Sequence, residues 1–322
     1  MGLFDIFKKK PAPAPTRPRP LPRPAQQRPD PKGKNNYVVI TLDSCRYDSF
    51  MEAKPELIAK PYGGLEKIEK RYSYASWTAP SHYNLLMGLL PHTSPPNVYA
   101  SEYYKEDFVR YNQRLGAKSI EFASLVPSLW LPTFLKTKMG YQTHAMVSLP
   151  VLNSLTPVNR DFDSFELMDH HNDMQKMLDK MEAGKIFSDE RPSFVMMNVG
   201  ETHYPYSLPG DDPNDLPRIS GVHGVFKKLD QHVDEEGQLK KEAAPEFFRQ
   251  DQMEYLYGQQ VRAVKYLNDK VFPRLFDLVP ENTWLVVTAD HGELFGEAGY
   301  FGHGPIMHDK VHEVPYIEGK IR

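Results

Sequence analysis

Cysteine is all but missing: Cys45 is the single one in 322 residues, so an internal disulfide framework is excluded. No apolar run reaches the roughly 18 residues that a spanning helix needs, and no internal repeat is visible. The opening stretch, MGLFDIFKKK, holds too short an apolar segment for a secretory signal and no small-residue cleavage site. Ile6 stands where a myristoylation signal carries Ser or Thr. Together these gaps predict a soluble protein of a reducing compartment, the cytoplasm.

What is present is a globular composition with an unusual beginning. A 40% hydrophobic fraction over 322 residues suffices for one substantial core or two modest ones. The formal net charge of −3 is unevenly spread: residues 1–36 carry nine Lys or Arg against Asp5 and Asp30, which leaves about −10 on the remainder. Within them, PAPAPTRPRPLPRPAQQRPDPKGKNN alternates proline with basic and small residues, a composition that favours extended polyproline segments and forms no packed core. Residues 1–36 therefore read as a disordered, basic, proline-rich tail. It is either a docking peptide on a semi-rigid tether, taking a protein or an anionic surface as partner at the edge of a membrane or complex, or a tail without a specific role. No nucleic-acid partner is expected, and the oligomeric state is open.

Order is expected from Tyr37 onward. YVVITLD is a continuous β-branched and apolar run ending in Asp43, as suits a strand buried on both faces of a parallel sheet. Ligands of open α/β sheets bind at such carboxyl ends. SHYNLLMGLL suits a helix capped by Ser81 and stopped by Pro91. PSFVMMNVGETH reads as a second buried strand running into a loop that carries His203. From Tyr255 to Leu278, Val261, Val264, Leu267, Val271, Leu275 and Leu278 keep helical spacing. A third buried strand, Trp284 to Thr288, ends in Asp290, His291 and Gly292. Strands alternating with helices predict an α/β fold, a mostly parallel central sheet flanked by helices in three layers.

A lone Asp at a strand end is ordinarily a cap or turn residue. Two strand ends bearing Asp43 and the Asp290–His291 pair are a mixed oxygen and nitrogen donor set, which suits a divalent cation, zinc or manganese before magnesium or calcium. Thr78 completes it: a threonine hydroxyl is a poor nucleophile unless a base or a metal lowers its pKa. Pro80 and the following helix would hold it with backbone N–H groups aimed at an anion. The metal set is thus Asp43, Thr78, Asp290 and His291. A second ion is left open, because no further Asp accompanies the remaining histidines.

YVVITLDSCRYDSF, SWTAPSHYNLLMGLLPH and VVTADHGELFGEAGYFGHG, in this order, resemble the sulfatase-like hydrolases of the alkaline phosphatase superfamily over roughly residues 37–317. The resemblance implies a metal-binding Asp43 followed by Arg46 and Asp48, a nucleophile at Thr78, and Asp290 and His291 on the metal. It also implies His303 near the substrate anion and His203, in ETHYPY, facing the transferring group. Residues 37–322 would then be a catalytic domain lacking most of the family's C-terminal subdomain. Sulfatases proper carry Cys or Ser within C-x-P-x-R, converted to formylglycine. Here Thr78-Ala79-Pro80-Ser81-His82 cannot mature, and Cys45 lacks the pattern and reads as a small buried hydrophobe. Ser44 stands where many sulfatases carry a second metal-binding Asp. Threonine nucleophiles mark the phosphodiesterases, phosphonate monoester hydrolases and phosphoglycol transferases that the resemblance also embraces.

The expectation is a metal-dependent hydrolase of phosphate esters, phosphodiester or phosphomonoester and phosphonate, acting through a covalent threonine intermediate. Thr78, His203 and His303 are its catalytic residues, and Arg46, His82, His203 and His303 contact a small-molecule phosphoester or sulfoester. For His82, His308 and His312, a helix-surface or packing role is the default reading. Competing readings are a phosphotransferase or sulfuric ester hydrolase of the same superfamily, and a non-catalytic sulfatase-like binding domain tethered by its tail.

Overall fold

The computed structural model describes residues 28–93, 100–118, 120, 130–212, 214–215, 249–304 and 306–321. Its centre is β1 (Asn36–Leu42), buried along its whole length as a two-sided apolar run requires. Around it stand β2 (Glu69–Tyr72), β3 (Gln142–Val147), β4 (Ser164–Leu167), β5 (Ser193–Val199) and β6 (Thr283–Ala289). The short strands β7 (Leu294–Phe295) and β8 (Phe301–Gly302) pair only with each other, and β9 (Glu313–Lys320) returns to the main sheet. The seven-stranded order is β2-β9-β6-β1-β5-β3-β4. From β6 to β4 the pairs are parallel, while β9 runs antiparallel to both β6 and β2. This is the expected α/β fold.

Side-chain alternation along β1 builds both outer layers. Val38, Ile40 and Leu42 enter one core with Phe50, Met177, Leu178, Val264 and Leu275. Tyr37 and Val39 enter the other with Leu85, Tyr111, Phe134 and Leu135. The first layer holds the helices Tyr47–Glu52, Met174–Ala183 and Gln250–Tyr266, and the second holds Thr78–Leu86, Ala100–Arg114 and Leu131–Lys138. Each buried Leu, Ile or Phe in these layers contributes about 1.5–3 kcal/mol. The helical spacing expected to Leu278 is kept, but the helix is interrupted by a π segment over Leu267–Val271 before Phe272–Leu278. Pro273 explains the break, since it lacks an N–H and its ring crowds the preceding turn. Among the described residues no helix is long and apolar enough to cross a membrane.

The tail differs from expectation in its last part. Residues 1–27 lie outside the described residues, but 28–36 are packed rather than disordered. Lys32 N donates to Met139 O at 3.1 Å, Lys34 N to Leu115 O at 2.9 Å, and Arg191 Nη1 to Pro29 O at 2.8 Å. The Tyr141 hydroxyl donates to Asn35 O at 2.8 Å. The backbone of this segment both donates and accepts, and neighbouring segments supply the partners. Deleting residues 1–27 should therefore leave the melting temperature nearly unchanged, whereas deleting 1–35 removes several of these bonds and should lower Tm by on the order of 5–10 °C. Calorimetry of the two truncations checks this.

Candidate active site

Strand register places the donors. Leu42 of β1 lies opposite Val199 of β5 and Ala289 of β6, so Asp43, Gly200 and Asp290 emerge side by side at the carboxyl end of the sheet. Asp43 N donates to Val199 O at 2.9 Å, and the chain then turns through Ser44 at φ 60°. Two glycines allow the surrounding loops to close in. A Cβ at Gly200 would sit 1.9 Å from His171 O, and one at Gly292 would sit 2.1 Å from Lys310 O.

Asp43, Asp290 and His291 are all buried, and one donor atom of each lies within 4.8 Å of the others. Asn198 Nδ2 donates to Asp43 Oδ2 at 2.8 Å, and Ser44 Oγ donates to Oδ1 at 3.1 Å. Asp290 Oδ1 accepts the backbone N–H groups of Ser44 and His291 at 3.0 and 2.9 Å, while Oδ2 is buried with no hydrogen-bond partner. His291 Nδ1 donates to Gly292 O at 2.8 Å, which fixes the proton there and leaves Nε2 as a lone-pair donor.

Thr78 closes the cluster from the other side. Its Oγ1 lies 3.4 Å from Asp43 Oδ1 and 3.3 Å from His291 Nε2. The helix begins at Thr78, not at Ser81: Trp77 is the extended cap residue, and Ser81 Oγ donates back to Ala75 O at 3.2 Å. Met87 is its C-cap and Gly88 follows at φ 84°, so it ends before Pro91. Helix geometry leaves the N–H groups of Thr78 and Ala79 without intrahelical acceptors, and Pro80 brings none.

Electrostatically the cluster fits a divalent cation. Burial opposes the charge on Asp43, but His203, His291 and the Asn198 hydrogen bond outweigh it and hold the carboxyl below its ordinary range. Burial and the neighbouring Asp43 charge push Asp290 well above its own. Burial, then His303, push His291 well below the usual imidazole value, keeping it neutral. A partnerless carboxylate oxygen, a neutral imidazole lone pair and a hydroxyl converging on one point are what a metal with mixed O and N preference takes.

The other expected residues are distributed around this centre. His303 lies over His291, ring centroids 4.3 Å apart, and His203 stands 5.5 Å from His303. His203 Nδ1 donates to Tyr204 O at 2.7 Å. His82 is fully buried behind Thr78, its Nδ1 donating to Thr78 O at 2.8 Å and lying 3.7 Å from Asp290 Oδ2. That placement is a packing position beneath Thr78 rather than a substrate contact. Arg46 also departs from expectation. Its guanidinium is gripped by Asp48 at 2.8 and 2.5 Å and by Glu297 at 2.6 Å, between the rings of Tyr257 and Phe295. These acceptors commit its donors away from the cluster. Burial notwithstanding, Arg46 and Lys310 hold Asp48 down to about 2. Cys45 is buried in the core, as expected. His308 accepts from Lys310 N and His312 lies 3.2 Å from Ser73 O. Of the insert from Pro209 to Gln252, residue 213 and residues 216–248 lie outside the described residues; Asp211 pairs with Arg262 at 2.6 Å.

Motif reading missed Asn198, Glu201, Glu293 and Tyr206. Asn198 sat inside a strand run, where only its polarity in SFVMMNV distinguished it.

A mostly parallel sheet with a metal-competent cluster at its carboxyl end, closed by a helix-borne hydroxyl, defines the alkaline phosphatase superfamily as the class. Within it the chain belongs to the sulfatase family, whose model, "Sulfatase", matches residues 35–317. Among solved structures, the C-terminal periplasmic domain of EptC from Escherichia coli in complex with Zn is 14% identical, with a TM-score of 0.51 over 91% of this chain and 77% of that one. The corresponding domain of phosphoethanolamine transferase EptC from Campylobacter jejuni is 14% identical, with a TM-score of 0.50 over 90% and 80%. The phosphonate monoester hydrolase of Agrobacterium radiobacter is 14% identical, with a TM-score of 0.48 over 89% and 68%. At these identities the likeness is one of fold. No curated protein matches the sequence.

Two predictions follow from this geometry. Asn198→Ala frees Asp43 to rotate and should weaken zinc or manganese binding about 10–100-fold, measured by chelator competition. Glu201, fully buried, accepts from Met174 N at 2.7 Å and leaves Oε2 unpartnered; burial pushes it up to about 7. Its folded pKa exceeds the unfolded one, so the folded state binds the extra proton and stability falls as pH rises between the ordinary Glu value and about 7. The loss is on the order of 3 kcal/mol. Glu201→Gln should flatten that part of the pH–stability profile in urea titrations.

Proposed function

We propose that this protein is a metal-dependent enzyme that transfers the phosphoryl group of phosphate or phosphonate esters through a covalent intermediate on Thr78. The observation that carries this is the position of Thr78 Oγ1, 3.4 Å from Asp43 Oδ1 and 3.3 Å from His291 Nε2, on the first residue of a helix. Threonine cannot become formylglycine, which sets the site apart from sulfatases proper. Asp43, Asp290, His291 and Thr78 would hold one divalent cation, zinc or manganese by donor type, which when bound lowers the hydroxyl pKa and offsets charge on the phosphoryl oxygens.

Thr78 Oγ1 attacks phosphorus in line with the departing oxygen, and the ester P–O bond breaks as the new one forms. The N–H groups of Thr78 and Ala79, free at the helix start, would meet the equatorial oxygens, as helix N-termini do for anions. His303, stacked on His291, with His203 beside it, would supply the proton to the leaving oxygen. Water, or an acceptor alcohol, then attacks the same phosphorus and frees Thr78. The likeness in fold to a phosphoethanolamine transferase supports transfer to an alcohol as one outcome of that second step.

Thr78→Ala should cut turnover of an aryl phosphoester by ~10⁴ or more, at a stability cost on the order of 1 kcal/mol. Thr78→Ser should retain part of the rate. Mass spectrometry of quenched reactions should find a phosphoryl adduct on the peptide containing Thr78; an active wild-type enzyme matched by Thr78→Ala ends the reading.

A further inference from the structure

We propose that Glu293 is the positioning residue that makes His303 the proton donor to the departing oxygen, and that Tyr206 holds Glu293 in place. This rests on the reading of Thr78 as the nucleophile at phosphorus.

Glu293 follows Gly292 in ADHGE and is 1% exposed. Its Oε1 accepts from His303 Nδ1 at 3.0 Å, and its Oε2 accepts from the Tyr206 hydroxyl. A buried carboxylate must have donors, and these two come from two separate loops. Tyr206 is fully buried and sits at φ 60°, a left-handed conformation that a bulky residue rarely adopts. The chain thus keeps an unfavourable backbone at the residue whose hydroxyl meets Glu293, and such strain collects at functional sites.

At His303 the geometry is directional. A carboxylate only accepts, so Nδ1 carries a proton and Nε2 is the nitrogen left to face the reacting group. The ring lies over His291, and Ser44 Oγ is 3.4 Å from Nδ1. Gly302 at φ 93° and Gly304 at φ 132° bracket the residue, and Gly304 N donates to Ser76 O at 3.0 Å. That bond ties the His303 loop to the segment that leads into Thr78.

The step balances as follows. Thr78 loses its hydroxyl proton to bulk water on activation, and its Oγ1 bonds to phosphorus while the P–O bond to the leaving group breaks. His303 enters the step as the imidazolium, its Nε2 proton passes to the departing oxygen, and the Nδ1 proton stays on the bond to Glu293. Attacking water later gives a proton back to Nε2 as the bond from phosphorus to Thr78 breaks, and Thr78 Oγ1 regains its proton from bulk water.

The test uses the zinc- or manganese-loaded protein and aryl esters that share one transferring group and differ in the acidity of the leaving phenol. Glu293→Gln and His303→Ala should each lose ~10²-fold or more in kcat on the least acidic phenol, at least tenfold more than on 4-nitrophenol, with KM little moved. The double variant should be no slower than His303→Ala, because the two act as one unit. Equal losses across the series, or multiplying losses in the double variant, would overturn the proposal. Tyr206→Phe should steepen the leaving-group dependence in the same direction, and an unchanged dependence removes Tyr206 from it. Independently of turnover, the wild-type protein should give a far-downfield proton resonance from His303 Nδ1 that moves in Glu293→Gln; its absence from the folded wild type overturns the assignment. A Thr78 adduct with a flat leaving-group series sinks only this proposal, whereas an active wild type without an adduct sinks the nucleophile reading as well.

Discussion

Two buried carboxylates, Asp43 and Asp290, converge at the ends of adjacent parallel strands, and the rest of the site answers their repulsion. At a separation of 4.8 Å or less between donor atoms, like charges cost about 3–4 kcal/mol even with the screening typical of proteins. Hydrogen bonds relieve Asp43 fully and Asp290 by half, since one oxygen of Asp290 meets two backbone N–H groups and the other meets none. Either a proton on Asp290 or a divalent cation between the pair resolves the conflict. The neutral imidazole of His291 and the Thr78 hydroxyl favour the cation, because both offer lone pairs to the same point.

The fold imposes this convergence through its backbone. Parallel pairing of β1 with β5 and β6 brings Asp43 and Asp290 level at one end of the sheet, and no side chain is needed to align them. Side chains enter one layer further out, where they tie loop to loop. Arg46 reaches from the turn after β1 to Asp48, Glu297 and the Glu293 carbonyl at 3.3 Å, and so anchors the segment that carries His291 and His303. A charge that motif logic assigns to substrate is here spent on holding the loop. Its removal would leave Glu297 and Asp48 short of partners in a partly buried place, which is why such pairs are costly to break from one side.

Legibility followed range. The buried strands of YVVITLD and TWLVVTADHG were readable because a two-sided strand needs an unbroken apolar run, and the carboxylates at their ends were readable because polarity there is conspicuous. Thr78, Asp43, Asp290 and His291 could be named from motifs whose order survives in the chain. The helix cap was misplaced by four residues, from Ser81 to Trp77, because capping signals describe side chains that bond the first turn, whereas Trp77 caps by backbone geometry alone. Asn198, and the bond from Arg46 to Glu297, were overlooked for one common reason. Which neighbour a polar side chain meets is decided across separations such as the 155 residues between Asn198 and Asp43 or the 251 between Arg46 and Glu297, and local pattern carries none of that information. The packing of residues 28–36 was hidden likewise, since its donors and acceptors lie on Leu115, Met139 and Arg191.

The choice of threonine over serine at position 78 fits the same constraint. A serine hydroxyl at the start of a helix can rotate among staggered wells, and in the first turn it competes for backbone partners. The β-branch of threonine narrows those wells. Here the hydroxyl must stay within 3.4 Å of Asp43 and 3.3 Å of His291, while the backbone N–H groups of the same turn remain free for an anion. His82, one turn later, takes up the Thr78 carbonyl from behind at 2.8 Å and is itself fully buried, so the turn is fixed on its inner side. A side chain with few rotamers, on a turn braced from below, holds its oxygen toward Asp43 and His291, beside the carboxylate pair whose repulsion a cation would relieve.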